Sequence, residues 1–138
     1  MTIPFSWACS CLVGGLAFGI FGCSDPDPPP AAVKSGVPTD ATCPPNSTLT
    51  YDGWALGFFE NYCLRCHSKE LGQGQRNGAP LNYNWDDLDS VRDHAPELDL
   101  MAAASSTVVN TTMPLTPPNP PVSERRRLGE WLACGAPE

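Results

Sequence analysis

Cys63-Leu64-Arg65-Cys66-His67 holds two cysteines three residues apart and a histidine directly after the second. At this chain's own Cys and His frequencies the pattern arises by accident in roughly one chain in two hundred, so chance explains it poorly. Chemistry accounts for each residue type. Thiols add across the two vinyl groups of a haem, and a three-residue separation on a helical turn sets the sulfurs against neighbouring edges of one macrocycle. His67 then stands beneath the iron and ligates it through an imidazole nitrogen. Three other readings stay open. A thioredoxin-like redox pair also reads Cys-x-x-Cys, yet the flanking chain lacks alternating strand and helix signals. A zinc site needs two ligands beyond the cysteine pair, and after His67 only His94 and Cys134 are available. The third is an ordinary buried cysteine pair.

Upstream of the pentapeptide, Trp54, Phe58 and Tyr62 recur at helical spacing with Phe59 beside them. That predicts a helix from near Thr50 or Asp52 into the motif. Downstream, Ser68 to Asn82 is rich in Gly, Gln and Asn and reads as a long loop. A helix is expected from Asp86 to about His94, with Asn84 as candidate cap, and another from Pro96 in its first turn through Ala104. Met113 follows a polar run, and Pro114 to Pro121 forms a proline-rich loop. Ser123 opens a final helix in which Leu128, Trp131 and Leu132 share a face and which Gly135 stops. No run alternates as a strand would, so the expected fold class is all-α.

Residues 1–22 carry no charged side chain and include the apolar run Leu12 to Gly22. This is the length of a signal-peptide core and short for a membrane span, although an uncleaved segment would be a short one. Ile20-Phe21-Gly22-Cys23 resembles the lipobox of bacterial lipoproteins, in which a small residue precedes the cysteine that is lipidated and becomes the mature N-terminus. From Ser24 to Pro45 seven prolines punctuate small and polar residues, as in an extended tether. The expected organisation is a signal peptide over 1–22, a proline-rich linker over 23–45 and one domain over 46–138. On these readings Cys9 and Cys11 leave with the leader, Cys23 carries lipid, and Cys63 and Cys66 are taken by haem. Cys43 and Cys134 remain, as a bridge in an oxidising compartment or as two free thiols.

The net charge of −7 lies entirely after residue 22 and no basic patch suggests nucleic acid. Asp86, Asp87, Asp89, Asp93, Glu97 and Asp99 read as an acidic surface that steers a basic redox partner, or as a plain solvated face. Arg125-Arg126-Arg127 either meets haem propionates or an acidic partner, or is likewise solvated.

Taken together, Tyr51 to Trp131 resembles a class I monohaem cytochrome c. Phe59 stands four residues before the first haem cysteine, where that family packs its first helix on its last, with Trp131 as partner. Gly78-Ala79-Pro80-Leu81 resembles the family's Gly-Pro-x-Leu segment, which implies that the Pro80 carbonyl accepts the second imidazole N–H of His67. The segment from Cys43 to the closing Trp131-Leu132-Ala133-Cys134-Gly135-Ala136-Pro137 looks like small cytochromes of the myxobacterial type. Pro114 biases Met113 toward extended backbone, the setting of the family's distal iron ligand; His94 and Met101 are the rivals. The resemblance implies three to four helices around a covalently attached haem c, with the N- and C-terminal helices in contact and long loops between. It implies one-electron transfer and no catalysis, with His67 and Met113 as iron ligands and redox proteins as partners, while the lipobox-like segment implies a lipid anchor at the periplasmic face of a bacterial membrane. Two alternatives are a haem enzyme or gas sensor with an open sixth position, and a zinc or disulfide module without haem.

Overall fold

Thr50 opens the first helical segment in the computed structural model, which describes residues 32–34 and 36–138. The expected signal peptide and the lipidation site Cys23 lie outside the described residues. The Thr50 side chain accepts from the Gly53 N–H at 3.0 Å, and the chain winds through a wide π-type turn, Tyr51–Ala55, into α1, Leu56–Tyr62. Cys63 then leaves helical geometry (φ −123°, ψ −40°), and the short α2, Leu64–His67, carries Cys66 and His67. The stretch from Ser68 to Asn82 is a loop with one 3₁₀ turn, Gln73–Gln75.

Helix α3, Leu88–Asp93, is capped by Asp87, whose carboxylate accepts from the N–H groups of Asp89 and Ser90. Asn84, the cap expected from sequence, is engaged elsewhere: its Oδ1 accepts from Arg76 at 2.8 Å. Helix α4, Ala95–Ala102, has Pro96 in its first turn as expected. It stops two residues early, because Ala103 and Ala104 spend their backbones on neighbours: the Ala103 carbonyl accepts from Asn110 and the Ala104 N–H donates to the Arg125 carbonyl. Helix α5, Val122–Ala133, starts after Pro121 with no side-chain cap, so Ser123 is inside it. It ends in a Schellman turn, with Ala136 N–H on the Trp131 carbonyl, Gly135 N–H on the Leu132 carbonyl, and Gly135 at φ +83°.

Among the described residues helix dominates, as an all-α reading requires. The exception is a pair of three-residue strands, β1 (Ala32–Lys34) and β2 (Val108–Asn110), parallel with Ala32 opposite Val108. The following residues stay on the domain. Gly36 donates to the Leu100 carbonyl, Val37 exchanges two bonds with the buried Asn110 side chain, and Thr39 bonds Asp99 through both N–H and hydroxyl. Much of the stretch expected as a linker is therefore a strap bonded across α4 and β2.

The core is aromatic. Phe59 on α1 meets Trp131 on α5 edge to face at 6.0 Å, with Trp85 and Tyr51 packed on the same ring. Tyr51 donates its hydroxyl to the Trp85 carbonyl at 3.0 Å, which satisfies a polar group that burial would otherwise strand. Each such side chain stabilises the fold by about 1.5–3 kcal/mol through removal of apolar surface from water. A disulfide joins Cys43 to Cys134, Cα–Cα 4.7 Å, and ties the strap to the end of α5. On the chain-entropy account, a loop of 91 residues closed in this way stabilises by about 4–5 kcal/mol.

Candidate functional site

A cavity of about 330 Å³ lies beside the motif, within the size range of small-molecule and cofactor pockets. Cys63 lines it from the junction before α2, Cys66 and His67 from α2, Pro80 from the long loop, Leu98 and Met101 from α4, and Met113 from the segment after β2. Its wall is mainly apolar. Cys63, Cys66, His67, Pro80 and Met113 thus share one cavity, while the rival ligand His94 and the Cys43 and Cys134 pair do not line it.

His67 is fixed from two sides. Its ring stacks on Trp85 at 5.2 Å and 25°, and its Nδ1–H donates to the Tyr83 carbonyl at 3.2 Å. The Trp85 N–H in turn donates to the His67 carbonyl at 2.8 Å. Burial lowers the histidine below its usual 6.5; the bond to Tyr83 opposes this and Arg76 adds to it. The shift favours the neutral imidazole. With Nδ1 committed as donor, the lone pair sits on Nε2, which no described residue occupies.

The carbonyl partner differs from the expected one. Pro80 does not accept from His67, because its carbonyl is turned into the loop, where it takes Arg76 Nη2 at 2.8 Å and the Tyr83 N–H at 3.2 Å. Tyr83 fills that role three residues later.

Arg76, 1% exposed, organises this loop from within. Its guanidinium donates to the carbonyls of Ser68, Pro80 and Tyr83 and to Asn84 Oδ1, at 2.6 to 2.8 Å. Its Nε is buried with no partner among the described residues.

The three candidates for a second ligand separate by position. His94 lies outside the cavity with both ring nitrogens engaged: Nδ1–H donates to the Ser90 carbonyl at 2.9 Å and Nε2 accepts from Asn82 at 3.0 Å. Met101 and Met113 both line the cavity, and the Met113 N–H donates to the Met101 carbonyl at 2.9 Å.

Burial pushes the Cys63 thiol up to about 12, against the opposing pull of Arg65 and Arg125. A thiol so placed is almost wholly protonated at neutral pH and suits thiol–disulfide exchange poorly. Both candidates for a further zinc ligand after His67 are also committed, Cys134 to its disulfide and His94 to Ser90 and Asn82. Among the described residues no three His, Cys, Asp or Glu side chains gather as a metal-binding group.

Several charged residues have local tasks. Asp86 accepts from Ser68 Oγ and the Lys69 N–H, Asp87 caps α3, and Asp99 holds Thr39. Of the arginine triplet, Arg125 is buried, Arg126 donates to the Ser105 carbonyl, and Arg127 lies 4.7 Å over Trp54 beside Glu124. None of the three lines the cavity.

Tyr83, Trp85 and Arg76 are the site residues that sequence reasoning missed. Trp85, a large aromatic in a polar stretch, carried a usable signal; the other two act on or through backbone carbonyls, which leave no mark in a sequence. No family model, curated protein or solved structure matches the chain.

Proposed function

We propose that the chain is a c-type cytochrome that transfers single electrons through a haem attached at Cys63 and Cys66, with His67 and Met113 as the iron ligands. One observation carries the reading: two thiols, an imidazole with a free Nε2 and a methionine, contributed from positions 63 to 113, line a single apolar cavity. When bound, haem supplies an iron that cycles between ferrous and ferric states.

The chain's own residues have the following parts. Tyr83 and Trp85 hold His67 in one tautomer and one ring orientation, which keeps its ligating nitrogen directed and basic. Met113 offers a thioether, which favours the ferrous state and closes the site to small molecules. Leu98, Ala102 and Pro80 exclude water. Leu115 lines the cavity while largely exposed and marks an apolar rim where a redox protein can approach.

Export fits the same reading, since the Cys43 to Cys134 disulfide persists in an oxidising compartment. We place the domain at the periplasmic face of a bacterial membrane, held by lipid on Cys23 and serving redox partner proteins, with no catalytic role. The fold reading that goes with it is a small class I cytochrome c. A pyridine haemochrome assay, with mass spectrometry of the 63–67 peptide, tests the core of this. Covalent haem at both cysteines is expected; a product exported from cells equipped for haem attachment with zinc or nothing at that peptide refutes it.

A further inference from the structure

Met113 is gripped through its backbone at both ends. Its N–H is on the Met101 carbonyl of α4, and its carbonyl accepts from Arg125 Nη1 at 2.9 Å. The same Nη1 reaches the carbonyls of Ala102 and Asn110, each at 2.9 Å, and Arg125 Nε reaches that of Pro120 at 3.2 Å. One guanidinium on α5 thus draws together the end of α4, the end of β2, the methionine and the proline loop beyond it.

Arg125 is 3% exposed and makes no ion pair with a carboxylate among the described residues. Burying a cation against carbonyls alone carries a desolvation cost, and an apolar side chain of similar volume would fill the space without it. What an apolar residue cannot do is bond several carbonyls at once, as Arg125 does with three on Nη1 and one on Nε.

We propose that Arg125 is a positioning residue for Met113: it holds the methionine at the cavity and keeps the position opposite His67 closed to outside ligands. The inference rests on the haem reading of the cavity. Arg65, between the two motif cysteines, bonds the middle of the same loop through the carbonyls of Thr116, Pro117 and Pro118. Arg65 is exposed, so water competes for those carbonyls and its hold is weaker. The buried arginine is the one that governs the methionine.

The test compares haem-loaded wild type with Arg125→Gln, Arg125→Lys and Arg65→Ala. It reads the methionine-to-ferric-iron charge-transfer absorption, imidazole affinity of the ferric form, carbon monoxide affinity of the ferrous form, and far-UV circular dichroism. Arg125→Gln should lose most of the absorption and bind imidazole about tenfold to a hundredfold more tightly, the range to which one lost hydrogen bond to a charged group corresponds. Arg125→Lys, which keeps the charge and loses the fork, should fall between wild type and Arg125→Gln. Arg65→Ala should change affinity by less than about threefold.

Absorption and affinity unchanged in Arg125→Gln with native circular dichroism overturn the proposal. So does loss of folding in both Arg125 variants, which would make Arg125 a residue of the fold alone. Haem-loaded wild type without the methionine absorption overturns it too. Failure of the haem reading is a separate result, seen as wild type that carries no haem before any variant is compared.

Discussion

Two glycines inside helices should respond with opposite sign to the same added methyl group. A Cβ built on Gly57 in α1 meets nothing within 4 Å, whereas on Gly129 in α5 it would lie 2.3 Å from the Ala104 carbonyl oxygen and 3.3 Å from Ala41 Cβ. Glycine in a helix interior costs about 0.5–1 kcal/mol relative to alanine, so Gly57→Ala should stabilise the domain by about that amount. At Gly129 the same gain is opposed by overlap. The approach is about 1 Å closer than an ordinary contact, and the atom met is backbone, so α5 must part from residues 103 and 104. Parting them strains the Ala104 to Arg125 bond at 2.8 Å. Overpacking of this kind costs about 1–3 kcal/mol and each hydrogen bond about 1, so Gly129→Ala should destabilise by about 1–3 kcal/mol after the helical gain. Urea unfolding of the three proteins in one redox state measures both, and thermal midpoints should move by about 4–8 °C per kcal/mol. A Gly129→Ala protein as stable as wild type, while Gly57→Ala behaves as expected, would refute the close approach of α5 to Ala104.

Replacing Cys43 and Cys134 together by serine should cost about 4–5 kcal/mol by denaturant unfolding, since the bridge closes a loop of 91 residues; a loss below about 1 kcal/mol would sink the entropic account. Met113→Ala should abolish the methionine charge-transfer absorption and admit carbon monoxide, while Met101→Ala and His94→Ala leave that absorption in place, and any other order reassigns the ligand. Tyr51 is raised to about 12, first by burial and then by neighbouring carboxylates. The folded state keeps this proton where the unfolded chain releases it near pH 10, so stability should fall as pH rises from about 10 toward 12. Tyr51→Phe should lose that slope and, at neutral pH, about 1 kcal/mol for the hydrogen bond to Trp85, both read from urea midpoints at stepped pH.

Helix spacing made much of the scaffold legible. The aromatic run through Phe58 and Phe59, Pro96 in the first turn of α4 and Gly135 beyond α5 all stand where periodicity and capping chemistry put them. Strands β1 and β2 were not legible, because three residues are too few for alternation to register and their pairing joins positions 76 apart. Within the cavity, side chains with distinctive chemistry could be named from sequence. Their supports could not: Arg76, Arg125 and the Tyr83 carbonyl act through backbone oxygens that every residue type supplies equally. For the same reason the carbonyl expected at Pro80 appears at Tyr83, where the turn held by Arg76 delivers it.

The strap across α4 sets how far the domain can stray from any anchor upstream of it. Had the chain been free up to Pro45, the residues after Cys23 could have paid out about 75 Å of line. With Ala32 already paired to Val108, only Ser24 to Ala31 remain, about 28 Å at full extension. A domain lipidated at Cys23 would be moored close in, sampling partners within the same membrane far more often than those adrift in the periplasm.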